Sequence, residues 1–220
     1  LEAAEAKIKD LQAESDASGF KTNYAAVLAK TVDTIAVSDK GNVTAALSAY
    51  ESLSAEAKAK LTAEKALLDG LAVKIADLEA AAAVDAMINA LPVEGDLTLD
   101  DEEAVEAARS VYDGLTLARQ ALVEKLNVLE AAEAKIAGLK AAASVDAIIS
   151  ALPAEAELKL SDKTTVEAAR SAYNLLTPAG QALVEKLNVL EAAEAKIADL
   201  EAAAAVDAMI IALPAVIDLT

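Results

Sequence analysis

The nonapeptide VDAMINALP begins at Val84, VDAIISALP at Val145 and VDAMIIALP at Val206, so the motif returns twice at a spacing of 61 residues. Each copy reads as the end of a helix, because apolar residues recur three and four apart and the closing Pro cannot continue the pattern. Outward from the motif, Gln120 to Pro153 and Gln181 to Pro214 align without gaps over 34 positions. They differ at five: Gly138/Asp199, Lys140/Glu201, Ser144/Ala205, Ile148/Met209 and Ser150/Ile211. Such similarity at a fixed period marks an array of structural units.

A more divergent copy lies upstream. SDKGNVTAALSAYESLS from Ser38 matches DDEEAVEAARSVYDGLT from Asp100 and SDKTTVEAARSAYNLLT from Ser161. Tyr50, Tyr112 and Tyr173 thereby share one repeat position. The chain opens on LEAAEAKI, found again at Leu129 and Leu190, and closes on LPAVIDLT, so both ends read as cuts through a longer array. The organisation expected is a divergent first repeat over 1–91, a second over 92–152, a third over 153–213 and the start of another over 214–220.

One repeat shows the structural logic. Pro92 and Gly95 break the helical pattern. Asp100 or Asp101 can cap a following helix, and Asp100 with Glu103 fits a capping box; Val105, Ala108, Tyr112 and Leu115 of that helix form one apolar stripe. Thr116 reads as the next N-cap. In the third repeat Thr177 is followed by Pro178, the favoured first helical residue. Asn127 with Glu130, and Asn188 with Glu191, fit a second capping box, from which the chain reads helical for roughly 24 residues, about 36 Å. Leu129, Ala132, Ile136 and Leu139 line one face of that helix. The expectation is an all-α chain of tandem three-helix bundles with a period of about 61 residues. Long helices would be shared between neighbouring bundles in an elongated rod, because no Gly/Ser/Pro-rich linker separates the copies.

Composition removes several functions. The chain has 220 residues, of which 37 are acidic and 19 basic, a net charge of −18. That balance opposes phosphate backbones and anionic lipid surfaces, so neither nucleic acid nor membrane insertion is expected. The charge reads instead as the device that keeps an Ala-rich surface soluble. The longest uncharged run near the C-terminus, Ala208 to Ile217, is far short of the roughly 20 residues of a membrane span. Without Cys or His the sequence has no thiolate, no disulfide and neither the commonest general base nor the commonest metal ligand.

No constellation reads as catalytic, cofactor-binding or metal-binding. Asp96, Asp100, Asp101, Glu102 and Glu103 are rich in oxygen, but their spacing fits no calcium loop. The third repeat replaces Asp100 with Ser161, Glu102 with Lys163 and Glu103 with Thr164. Asp85, Asp146 and Asp207 sit inside apolar runs. The preferred reading is a solvent-facing position; the sharper one is an interhelical tether to Arg109 or Arg170. The recurrent tyrosines read as core residues with hydroxyls at the rim rather than as a sugar-stacking platform. Glu133 and Glu194 read as polar-face residues near Lys135 and Lys196, with no cleft to make them an acid/base pair. Asn42-Val43-Thr44 is a weak glycosylation tripeptide.

VEAARSAYNLLTPAGQALVEKLNVLEAAEAKIADLE, from Val166, resembles a helical repeat of large modular surface proteins of Gram-positive bacteria. The resemblance is close over 96–220 and looser over 1–70, where Leu47 stands for Arg109 and Arg170 and Lys58-Ala-Lys replaces part of Gln-Ala-Leu-Val. It implies an extracellular, cell-wall or S-layer-type setting and brings no active site. The expected function is a structural spacer, stalk or surface-layer element whose partners are neighbouring repeats or domains of the same polypeptide. The alternative is an adhesin-like module that recognises a host protein or cell-wall polymer, or assembles with itself, through a helix face.

Overall fold

Ala-rich sequence with few Gly and Pro favours long helices, since Ala loses no side-chain entropy in a helix. In the computed structural model, which describes residues 1–213, four helices exceed twenty residues. They are α1 (Glu2–Asn23), α5 (Thr62–Asn89), α8 (Leu126–Ser150) and α11 (Leu187–Ile211). Between α1 and α5 lie α2 (Ala25–Leu28), α3 (Lys40–Glu51) and α4 (Ala55–Ala59). Between α5 and α8 lie α6 (Glu102–Asp113) and α7 (Leu117–Gln120), and between α8 and α11 lie α9 (Lys163–Asn174) and α10 (Pro178–Gln181). Among the described residues there is no strand, so the chain is all-helical. A medium and then a short helix lie between each long helix and the next, with one additional short helix, α2, ahead of α3. The start of a further repeat at 214–220 lies outside the described residues.

The contacts divide the chain into two compact units, Leu1–Ala90 with Glu106–Leu129 and Leu91–Val105 with Glu130–Thr220. In the first unit α3 packs on α5 and α1 on α4. Their shared core holds Phe20, Val43, Ala46, Tyr50, Leu68 and Leu71. Phe20 meets Tyr50 edge-on, with ring centroids 6.2 Å apart. In the second unit α9 packs on α11. Its core joins Val145 and Ile149 near the end of α8 to Val166 and Ala169 of α9 and Leu190, Ala193 and Ile197 at the start of α11. Ala46, Ala108 and Ala169, at one repeat position, are each 0% exposed. A methyl group there lets the medium helix approach closely, which is how so aromatic-poor a chain fills its interior.

Local signals set the helix starts, not always where the spacing predicts. Thr177 Oγ1 accepts the Gly180 N–H at 3.1 Å with Pro178 first in α10, as expected, and Ser54 does the same for Ala57 at 3.2 Å. The medium helices differ from expectation. The box runs from Thr98 to Asp101, not from Asp100 to Glu103: the Asp101 carboxylate accepts the Thr98 N–H at 2.9 Å. Asp39 does so for Ala36 at 3.0 Å and Asp162 for Lys159 at 2.9 Å. The 3₁₀ turn immediately ahead of each medium helix is thus closed by an aspartate. Asn127 and Asn188 are not N-caps, because α8 and α11 begin one residue earlier, at Leu126 and Leu187.

Candidate functional site

The amides ahead of α8 and α11 are satisfied from elsewhere, and this arrangement recurs. The Asp85 carboxylate, on α5, accepts the Lys125 N–H at 2.8 Å and the Glu124 N–H at 3.1 Å. The Asp146 carboxylate, on α8, accepts the Lys186 N–H at 2.8 Å and the Glu185 N–H at 3.1 Å. An anion receiving two backbone donors at a helix start satisfies groups the helix cannot pair internally, and it is favoured by the local dipole. Lys186 Nζ adds a hydrogen bond to Ser150 Oγ at 2.5 Å. The aspartate in VDA is therefore a clamp between the end of one long helix and the approach to the next. It is half-buried at both places. This corrects the solvent-facing reading, and the tether is to backbone rather than to arginine. Asp207 is exposed, and among the described residues nothing donates to it.

The arginines serve the medium helices. Arg170 of α9 grips Glu194 of α11 with two hydrogen bonds, Nε to Oε1 at 2.6 Å and Nη2 to Oε2 at 2.5 Å. Its guanidinium also lies over the Tyr173 ring, 5.3 Å from the centroid. Arg109 lies over Tyr112 at 5.2 Å. Glu194 consequently faces α9 rather than a polar face shared with Lys196. The forked geometry matches a carboxylate in a way a lysine cannot reproduce. The hydrogen bond that Arg170 donates to Glu194, opposed by partial desolvation, raises the already high pKa of Arg170.

A third recurrent contact was not legible from spacing. Gln120 Nε2 donates to the Tyr112 carbonyl at 3.2 Å, and Gln181 Nε2 to the Tyr173 carbonyl at 3.3 Å. Each glutamine caps the C-terminal end of a medium helix, where carbonyls lack internal partners. Lys58 occupies the matching place in the first repeat, and its Nζ donates to the Glu51 carbonyl at 2.8 Å. A change that departs from the repeat pattern thus keeps a side-chain donor at this helix end, on the carbonyl one residue later.

The remaining candidates take structural places. Asp101 closes its turn and Glu102 pairs with Lys140, which disperses the acidic cluster. Among the described residues no group of three acidic, His or Cys residues is placed to hold a metal ion. Tyr50 is buried, while Tyr112 and Tyr173 are half-buried beneath their arginines. Asn42-Val43-Thr44 lies within α3, with Val43 in the core. A groove between α9 and α11 is lined by Lys163, Glu167, Arg170, Glu194 and Glu201, but these groups pair with one another. Among the described residues no polar or charged side chain is fully buried. The depressed pKa values of Asp39 and Glu64 have ordinary causes. For Asp39 they are the Ala36 N–H and then Lys30; for Glu64 the main one is Lys21.

What recurs here is an apparatus that joins helix to helix, repeated along the chain. No family model matches the sequence, and neither the curated proteins nor the solved structures give a match.

Proposed function

We propose that the chain is a non-catalytic structural module. In this reading, three-helix bundles in tandem share their long helices, and the array serves as a spacer, stalk or surface-layer element of a bacterial cell-surface protein. The observation that carries the reading is the clamp made by Asp85 and again by Asp146. A repeated carboxylate spent on holding successive helices in register is expected of a load-bearing array and is of no use to a reaction. The setting outside the cell rests on the resemblance in the repeat sequence.

The adhesin reading needs an exposed apolar patch that returns in each repeat. Val37, Leu99 and Leu160, at equivalent positions, are each 41% exposed, and Val128 and Val189 are 44% and 45% exposed. Each repeat exposes further aliphatics, but the most exposed of them, Leu117 at 85% and Leu175 at 87%, stand at different repeat positions, and scattered aliphatics are ordinary for a protein surface, which favours the scaffold. Solution scattering tests it. A compact body of 220 residues has a radius of gyration of roughly 17 Å. The proposed rod gives a value well above that, and a result near it would overturn the rod.

A further inference from the structure

Near-identical neighbours in one chain create a problem of identity. Repeats two and three present the same apolar side chains on their packing faces: Val105 and Val166, Ala108 and Ala169, Leu129 and Leu190, Ile136 and Ile197. Burial alone cannot tell a medium helix which long helix is its own, and tandem repeats of this kind misassemble by exchanging elements. The few positions that do differ therefore carry whatever discrimination exists.

Two sets of those differences are coupled through space. At the first turn of each medium helix one charged residue bridges to the long helix that follows. Lys40 pairs with Glu79, Glu102 with Lys140, and Lys163 with Glu201. These are equivalent positions, yet the polarity is reversed in the middle repeat. Adjacent repeats always differ, while the bridge itself is kept in all three. Lys140/Glu201 is one of the five differences in the 34 aligned positions, and its contact partner changes with it. The second set lies between a long helix and the short helix packed on it. Arg119 of α7 donates from Nε to Asp77 of α5 at 2.7 Å. One repeat later both positions are glycine, Gly180 and Gly138, and a Cβ at Gly138 would come within 3.4 Å of Leu183 Cδ1.

We infer that the reversed Lys/Glu bridges are a pairing code that directs each medium helix to its own long helix and suppresses exchange between neighbouring repeats, within a chain or with a second copy of it. A medium helix of repeat two on a neighbour's long helix brings Glu102 against Glu79 or Glu201. The reverse exchange brings Lys40 or Lys163 against Lys140. Replacing attraction by repulsion at one exposed contact moves an equilibrium by roughly three- to tenfold. Arg119 adds to the code, since exchange leaves it facing Gly138 rather than Asp77.

The test gives all three repeats one polarity. The double variant E102K/K140E keeps an attractive bridge in repeat two but erases the difference from its neighbours. Wild type and variant are refolded from urea at high protein concentration and analysed by size exclusion with light scattering. The double variant should keep the wild-type unfolding midpoint and give at least about threefold more exchanged dimer and higher species. An unchanged oligomer fraction overturns the code. The single variant K140E, which sets two glutamates together, should lower the midpoint, and adding E102K should restore it. If the midpoint is not restored, the bridge is not an energetic contact and the inference fails.

Discussion

At the residue scale the most informative side chain is the aspartate of VDA. Its sequence context, one carboxylate between Val and Ala in a long apolar helix, is compatible with exposure, and period alone cannot distinguish that from a clamp. What decides it is the backbone of a segment 39 and 40 residues later, which brings two amides to the carboxylate. Spacing within a helix says nothing about such a partner. Hydrogen bonds from backbone to a charged, half-buried group are each worth somewhat more than the usual net value, so Asp146→Ala should cost about 1–2 kcal/mol. Asp85→Ala should cost as much, and Asp207→Ala, with no donor to it among the described residues, should stay within about 0.5 kcal/mol. Urea unfolding of the three variants measures this. Equal losses at all three positions would mean that helix propensity, not the clamp, accounts for the effect.

At the scale of elements, the sequence is most informative where structure is local. The threonine caps at Thr116 and Thr177 and the length of the long helices were readable because Pro178, the apolar stripe and the capping hydroxyl all act within a few residues. The box lies two residues before the place the spacing suggests, Thr98 to Asp101 rather than Asp100 to Glu103, because a 3₁₀ turn precedes α6 and takes the aspartate as its closing residue. Asn127 and Asn188 misled for a related reason: Asn signals a cap, but here the amides ahead of the helix are already held by Asp85 and Asp146. The C-terminal caps were missed entirely, since Gln is a common residue with no positional signature. Their effect is measurable. Gln181→Ala leaves the Tyr173 carbonyl to water and should cost about 0.5–1.5 kcal/mol, while Gln181→Lys should recover most of it by donating at the same helix end, as Lys58 does to the Glu51 carbonyl in the first repeat. If Gln181→Lys is as unstable as Gln181→Ala, the two side chains are not equivalent and the role assigned to Lys58 is wrong.

At the scale of the whole molecule the governing quantity is charge. With 37 acidic and 19 basic residues, 18 negative charges remain even if every cation is paired. Two electrostatic effects then oppose each other. The ion pairs, among them Lys21–Glu64 and Lys60–Asp10, favour the fold, but they are surface pairs and each contributes little. The surplus carboxylates repel one another in the folded state, which holds them closer than the unfolded chain does. Salt weakens both, but not equally. In 0.1 M salt the screening length is about 10 Å and at 1 M about 3 Å, so added salt removes repulsion between separated carboxylates more completely than attraction between groups in contact. Raising NaCl from 0.1 to 1 M should therefore raise the thermal midpoint by a few degrees, whereas a fold held mainly by its ion pairs would lose stability. Sodium chloride is the salt to use, because sulfate would also strengthen apolar burial and hide the sign. A midpoint that falls with NaCl would show that the paired charges outweigh the surplus, and the negative balance would then have to be explained by something other than the solubility of an Ala-rich surface.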